Sequence, residues 1–375
     1  MYKHINILLI LISFCLLSTN CSSNNDNELN NVPLPPLTSF AVKVGTIRYH
    51  GSIDQETRKV TIGSIENPYV ITDVEYTLVN DEATISPDPN TFLGKWKQKQ
   101  EVTVTTKNGT ETIYTIELPD YKEESGDIIF YDDFDTDGPL DRKKWVPFYF
   151  ERKKGEAINK WVESNDYCYA ENGNLVLKAD IDGNIYKLGR VQTLGKFCFT
   201  FGKVEIRARV TRHPDGNFPA IWMMPEKPIY PPSGINTNPI SGEIDIMEHV
   251  KQENCIHQTV HSNYTFNLEI KDPINTTNVV CDYENYNLYG MEWNADEIIF
   301  YVNGVETLRY PNLRLPNESE VMQWPFSEKS AFYLILNMSL GDTGSWAGAV
   351  DDANLPAIME VDYVKVSKPQ KESEH

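Results

Sequence analysis

The chain has 375 residues and a mass of 42.9 kDa, too long for one average domain and suited to two. Hydrophobic residues make up 40% and charged residues 23%, which excludes global disorder. Against 34 Lys and Arg stand 54 Asp and Glu, a formal net charge of -20; this argues against nucleic acid as a partner and disfavours a densely sulfated one.

The first 20 residues read as an export signal. Lys3 and His4 precede an apolar run, Ile5 to Leu17, which is short for a membrane span and suits a signal peptide. The run ends at Leu17-Ser-Thr-Asn-Cys21, followed by Ser22-Ser-Asn-Asn-Asp26. This resembles the lipobox of bacterial lipoproteins, with Cys21 as the lipidated residue; Asn20 departs from the small residue usual before that cysteine. The resemblance implies attachment by lipid anchor alone, at the outer membrane facing the cell surface or, alternatively, in the periplasm. Residues 21–37 are rich in Ser, Asn and Pro and read as a tether. Cys168, Cys198, Cys255 and Cys281 lie beyond it. An exported compartment permits disulfides, and their spacing leaves the pairing open.

Residues 38–120 carry short alternating segments: Ser39–Val44, Lys59–Ile62, Val74–Leu78, Glu101–Thr105 and Thr112–Ile116. Turn signals such as Asn108-Gly109 separate them, as expected of a small antiparallel sandwich. The stretch resembles the Ig-like modules of Gram-negative glycan-degrading lipoproteins and reads as a spacer. Residues 121–126 are polar and mark a boundary. From 127 to 367 the chain is again β. Val204, Ile206, Ala208 and Val210 take one face of a strand, and Lys203, Glu205, Arg207 and Arg209 the other. Ile298–Val302, Asn303-Gly304 and Val305–Leu308 form a hairpin signal with a type I′ turn. Ala331–Leu336 is a buried-strand run. With no long amphipathic helix and no repeat, about 240 such residues indicate a large two-sheet sandwich. The fold class is all-β.

The decisive segment is Ser241-Gly-Glu-Ile-Asp-Ile-Met-Glu-His-Val250. In a regular strand Glu243 and Asp245 share a face while Glu248 points to the other, which would bury a carboxylate at high cost. A β-bulge at Ile246-Met247 would return Glu248 to the face of the other two. The two glutamates then stand roughly 13 Å apart at their Cα atoms. Side chains leaning together would close their carboxyls to about 5–6 Å, the separation of a retaining glycosidase pair. Asp245, between them, would raise the pKa of the acid and orient the nucleophile.

Gly242-Glu-Ile-Asp-Ile-Met-Glu248 resembles the signature of glycoside hydrolase family 16 in its bulged, laminarinase-like form. The resemblance covers residues 127–367. It includes Gly189–Thr193, Phe201–Ala208, Pro219–Pro225, Gln258–His261, Tyr289–Trp293, Trp324–Phe326, Leu334–Asn337 and Val361–Val366. It implies a concanavalin-like jelly-roll with a concave cleft and endo-acting cleavage with retention, with no cofactor for catalysis. Glu243 takes the place of the nucleophile, Glu248 of the acid/base and Asp245 of the assisting residue. Trp222 would stack on a sugar, and His261 would hydrogen-bond near the acid/base. Arg190, Trp293, Trp324 and Asn337 are weaker cleft candidates. The family also implies a structural calcium, here at Asp133, the Gly173 carbonyl and Asp362. The protein is expected to be a monomer whose partner is a glycan.

The family spans several glycans. Leu340-Gly-Asp-Thr-Gly-Ser-Trp-Ala-Gly348 departs from the usual laminarinase turn, and Trp346 could reach substrate from it. The Pro-rich stretch Glu226–Ile240 suggests a fixed wall over the cleft. Together with the anchor and spacer, these features resemble surface enzymes that cut mucin O-glycans at internal galactose. The expectation is an endo-β-1,4-galactosidase on poly-N-acetyllactosamine; the alternative is an endo-β-1,3- or mixed-linkage β-glucanase. A non-catalytic glycan-binding lipoprotein is the reading of another class; the presence of all three acids opposes it.

Overall fold

Period-2 alternation of apolar residues makes strands almost everywhere, and the only α-helix among the described residues is the single turn Glu318–Val321. The computed structural model describes residues 34–122, 127–154, 157–228, 240–250 and 253–368. Residues 1–20, Cys21, most of the tether and most of the Pro-rich stretch 226–240 lie outside the described residues. No helix among the described residues is long and apolar enough to cross a membrane.

The N-terminal module holds two small sheets. Ile47–His50, Leu37–Val44 and Asp73–Leu78 form one. Ser52–Asp54, Lys59–Thr61, Glu111–Glu117, Lys99–Thr105 and Thr84–Ser86 form the other. All five expected strands are among them. Phe40, Val42, Ile62, Trp96, Val104, Tyr114 and Ile116 pack between the sheets as a core of their own.

The C-terminal module is a two-sheet jelly-roll sandwich. One sheet has seven strands, in the order Val146–Pro147, Arg190–Gln192, Phe332–Leu340, Asn217–Pro225, Glu243–Glu248, Cys255–His261 and Thr276–Val280. The other has eleven, with Ala357–Ser367, Gly202–Arg212, Asn287–Trp293, Glu297–Val302 and Val305–Pro311 as successive neighbours. Val204, Ile206, Ala208 and Val210 are all fully buried against Ile221, Met223, Ile244 and Leu336 of the facing sheet. The expected hairpin turns through Asn303 and Gly304, both at positive φ, as a type I′ turn requires.

The polar face of Gly202–Arg212 is not open to water. Glu205 is only 3% exposed. Its carboxylate accepts from Lys365 Nζ at 2.5 Å and from the Tyr69 hydroxyl of the N-terminal module at 3.4 Å. Asn67 Nδ2 donates to the Asn303 carbonyl at 3.0 Å, and the Tyr363 hydroxyl donates to the Gly94 carbonyl at 3.1 Å. The N-terminal module therefore packs on the eleven-stranded sheet. A cavity of about 1370 Å³ lies between the two, walled by Tyr69, Trp96, Tyr121 and Tyr301 among others.

This packing overturns the calcium expectation. Asp362 is buried, with one carboxylate oxygen held by Arg207 Nη1 at 2.8 Å and the other by Lys95 Nζ. A carboxylate already neutralised by two cations does not fit a calcium ligand. The Gly173 carbonyl belongs to the turn between two paired strands, and Asp133 stands beside Tyr131. The cysteines likewise form no disulfide: Cys168, Cys198, Cys255 and Cys281 are all free thiols. Burial pushes Cys168 up to about 12 and Cys281 up to about 11, so both stay protonated.

Asp362→Ala strands a largely buried guanidinium, and removing one partner of such a pair costs about 3–5 kcal/mol. Lys95→Ala removes a more exposed partner and should cost no more than about 1 kcal/mol. Thermal unfolding should show that order, and the melting temperature of the intact protein should be unmoved by calcium or by a chelator.

Candidate active site

The strand Glu243–Glu248 is held between Asn217–Pro225 and Cys255–His261. Gly242 leads into it at φ +89°, and a Cβ there would stand 2.6 Å from the Phe326 ring, so the entry requires glycine. Within the strand, Asp245 pairs with Thr259 but Glu248 pairs with His257. Three steps on one strand thus match two on the next. On the other side Ile221 pairs with Met247 while Trp222 pairs with Asp245. The extra residue is a β-bulge at Ile246-Met247. Ile244, Ile246 and Met247 all turn into the core, and the three acids share the opposite face.

That face is poor in water. Burial pushes Glu243 up to about 7. Burial, then the charge of Glu243, pushes Glu248 up to about 8. Asp245, 2% exposed, is held well above the carboxylate range by burial, then by Glu248 and Glu243. Three carboxylates so placed cannot all ionise together, so the cluster retains protons at neutral pH.

His261 lies opposite Glu243, and its Nε2 stands 3.3 Å from Asp245 Oδ2, close but not aligned as a hydrogen bond. It thus sits at the Glu243 end of the cluster, whereas His257 sits opposite the acid/base candidate Glu248. Burial lowers His261 to about 4, so its ring is neutral. His249, fully buried behind the strand, donates Nδ1–H to the Cys255 carbonyl at 2.9 Å and ties the strand end to its neighbour.

Trp222 is half-buried, and its indole N–H donates to Asn337 Oδ1 at 2.6 Å. Arg190 lies with its guanidinium 4.0 Å from the Phe148 ring centroid and 5.4 Å from that of Trp222. Burial lowers Arg190 to about 10, which leaves it cationic. Arg190, Asn337 and Trp222 therefore form one contiguous wall. Trp346 is 45% exposed, its ring set edge-on against Phe218 and His257. Two candidates fall away. Trp293 is 1% exposed on the eleven-stranded sheet and donates its indole N–H to the Phe326 carbonyl. Trp324 is 6% exposed in the core against Tyr310 and Phe326. Both are packing residues that support the entry to the acidic strand. The sequence reading missed His257, Phe218 and Phe148; His257 was findable, four residues before His261 on the same strand face.

Residues 156–365 match the glycosyl hydrolases family 16. The chain belongs to glycoside hydrolase family 16. Its match spans the whole acidic strand Glu243–Glu248. Residues 1–134 match a domain of unknown function, DUF4971. The family 16 chain is 38% identical over 260 residues to a keratan-sulfate endo-1,4-beta-galactosidase of Sphingobacterium multivorum, covering 68% of this chain and 57% of that relative. It thus spans little more than half that relative's length. It is 34% identical to a beta-glucanase of Rhodothermus marinus, covering 64% of this chain and 84% of the relative. Among solved structures, the laminarinase of Rhodothermus marinus superposes with a TM-score of 0.56 at 31% identity, covering 66% of this chain and 99% of that one. Another is described with endo-acting O-glycanases that prominent members of the human gut microbiota express to initiate mucin breakdown. It superposes with a TM-score of 0.55 at 33% identity, over 65% of this chain and all of that one.

A buried carboxyl with a raised pKa stabilises the folded state only while protonated, so its contribution is lost as pH rises from the usual carboxylate range toward 8. Glu248→Gln should therefore raise the melting temperature near pH 8 and give no gain near pH 4. Each kcal/mol relieved is worth roughly 2–4 °C. A gain independent of pH would show that the effect is not electrostatic.

Proposed function

We propose that this family 16 enzyme cuts internal β-1,4-galactosyl bonds of poly-N-acetyllactosamine-type mucin O-glycans by double displacement. The observation that carries the mechanism is the bulge, which sets Glu243, Asp245 and Glu248 on one water-poor face. Glu243, the less raised of the two glutamates, acts as nucleophile on the anomeric carbon. Glu248, raised further by its neighbour, holds the proton that it gives to the departing glycosidic oxygen. It then takes a proton from the water that releases the glycosyl-enzyme. Asp245, between the two glutamates, assists by orienting the nucleophile, and His261 stays neutral beside it. This two-carboxylate chemistry runs without a cofactor.

Three observations support the substrate. The match to a keratan-sulfate endo-1,4-beta-galactosidase has the highest identity of the relatives compared above. Trp222 and Trp346 offer indole surface on the two flanks of the acids, and galactose presents an apolar C–H face to such rings. A chain of net charge -20 with Arg190 wedged between aromatic rings favours unsulfated over densely sulfated glycan. A β-glucanase reading is favoured by the match to the Rhodothermus marinus enzyme. Its partner is a glycan in either case. Residues 1–21 support anchorage at the outer membrane through lipidated Cys21.

The deciding experiment digests mucin O-glycans, laminarin and mixed-linkage β-glucan and reads the products by mass spectrometry. Oligosaccharides with reducing-end galactose from mucin alone are expected; glucose oligomers from either glucan would replace the galactosidase reading. Glu243→Gln and Glu248→Gln should each fold and lose at least about a hundredfold in turnover, the usual worth of one acid–base role. Activity in wild-type enzyme should be bell-shaped in pH, falling below the raised pKa of Glu243 and above that of Glu248. Cys21→Ser should release the protein from membranes and abolish its acyl mass.

A further inference from the structure

A second group of converging side chains lies outside the acid cluster. Glu253, Cys255 and His257 alternate along the chain and so project to one side of the strand Cys255–His261. His257 Nε2 stands 2.8 Å from Glu253 Oε2, and Cys255 Sγ stands 3.7 Å from the same oxygen. The ligand atoms of all three lie within 4.8 Å of one another. Tetrahedral zinc, with bonds of about 2.0–2.3 Å, sets its ligands roughly 3.3–3.8 Å apart. The Glu253–Cys255 separation of 3.7 Å already lies in that range. We propose that Glu253, Cys255 and His257 form a binding site for zinc or a similarly soft divalent ion on the wall beside Trp346.

The donor set selects the metal. Thiolate and imidazole favour zinc over calcium or magnesium, which prefer all-oxygen shells. The other converging group, Glu243, Asp245 and His261, has no sulfur and belongs to the acid cluster. Three protein ligands leave a fourth position for water. A cysteine ligates as the thiolate, so binding displaces a proton and tightens as pH rises. The His257 ring, now 4.9 Å from that of Trp346, would become fixed, and with it the edge of an exposed sugar platform. This inference does not depend on which glycan is cut.

The test titrates the reduced full-length protein with cobalt as a spectroscopic substitute, then with zinc. One equivalent of cobalt should give a thiolate charge-transfer band in the ultraviolet and strong tetrahedral bands in the visible, both removed by zinc and not by calcium. Cys255→Ser should abolish the charge-transfer band while leaving metal-free turnover unchanged. Glu253→Gln should weaken binding at least about tenfold, since even loss of an outer partner costs that much. Glu243→Gln should leave the bands intact. No thiolate band, a band that survives in Cys255→Ser, or bands lost in Glu243→Gln would each overturn the site. Should Cys255→Ser fail to fold, Glu253→Gln carries the same decision alone.

Discussion

The structure is organised around a cost, that of holding three carboxylates on one dry face of a strand. Regular pleating would send Glu248 into the core beside Ile244. One extra residue at Ile246-Met247 reverses its direction, and both bulge residues gain burial in exchange. The rest of the seven-stranded sheet holds that irregularity in place. Gly242 gives the entry angle, Phe326 packs against it, and His249 ties the far end to Cys255. The resulting cluster retains protons near neutrality, because burial and mutual repulsion disfavour full ionisation.

The two sheets treat buried charge in opposite ways. On the eleven-stranded sheet Glu205 and Asp362 are as buried as Asp245, yet each is matched by cations: Lys365 for one, Arg207 and Lys95 for the other. These pairs help seat the N-terminal module on the sheet. On the seven-stranded sheet Asp245 faces two other acids and a neutral histidine. Satisfied charge builds an interface there, and unsatisfied charge builds reactivity here. The same comparison explains why Asp362 makes a poor metal ligand in this chain: a neighbouring module already supplies its counter-charge.

The aromatic residues divide along the same line. Trp145, Trp293 and Trp324 are buried, and the indole N–H groups of the first two reach Asp132 and the Phe326 carbonyl. Trp222 is half-buried and Trp346 45% exposed: Asn337 and Arg190 hold the first, Phe218 and His257 the second. A buried tryptophan and a cleft tryptophan are the same letter in sequence; which it becomes depends on which sheet the strand joins.

Local chemistry was legible because it is written over a few residues. The period-2 pattern of Val204 to Val210, the Asn303-Gly304 turn and the spacing of Glu243, Asp245 and Glu248 each carry their own physical reason, and strand, hairpin and bulge all form. What acts across hundreds of residues was not legible. No pattern near Asp362 announces Lys95, 267 positions earlier, nor does anything near Trp293 place it on the sheet away from the acids. Sequence by itself determined an all-β fold with the family 16 signature and the strand that bears its acids, since those depend on alternation and short spacing. Only the tertiary structure decided which charges are neutralised, which tryptophans face solvent and which donors converge, because those depend on strands distant in the chain becoming neighbours in space.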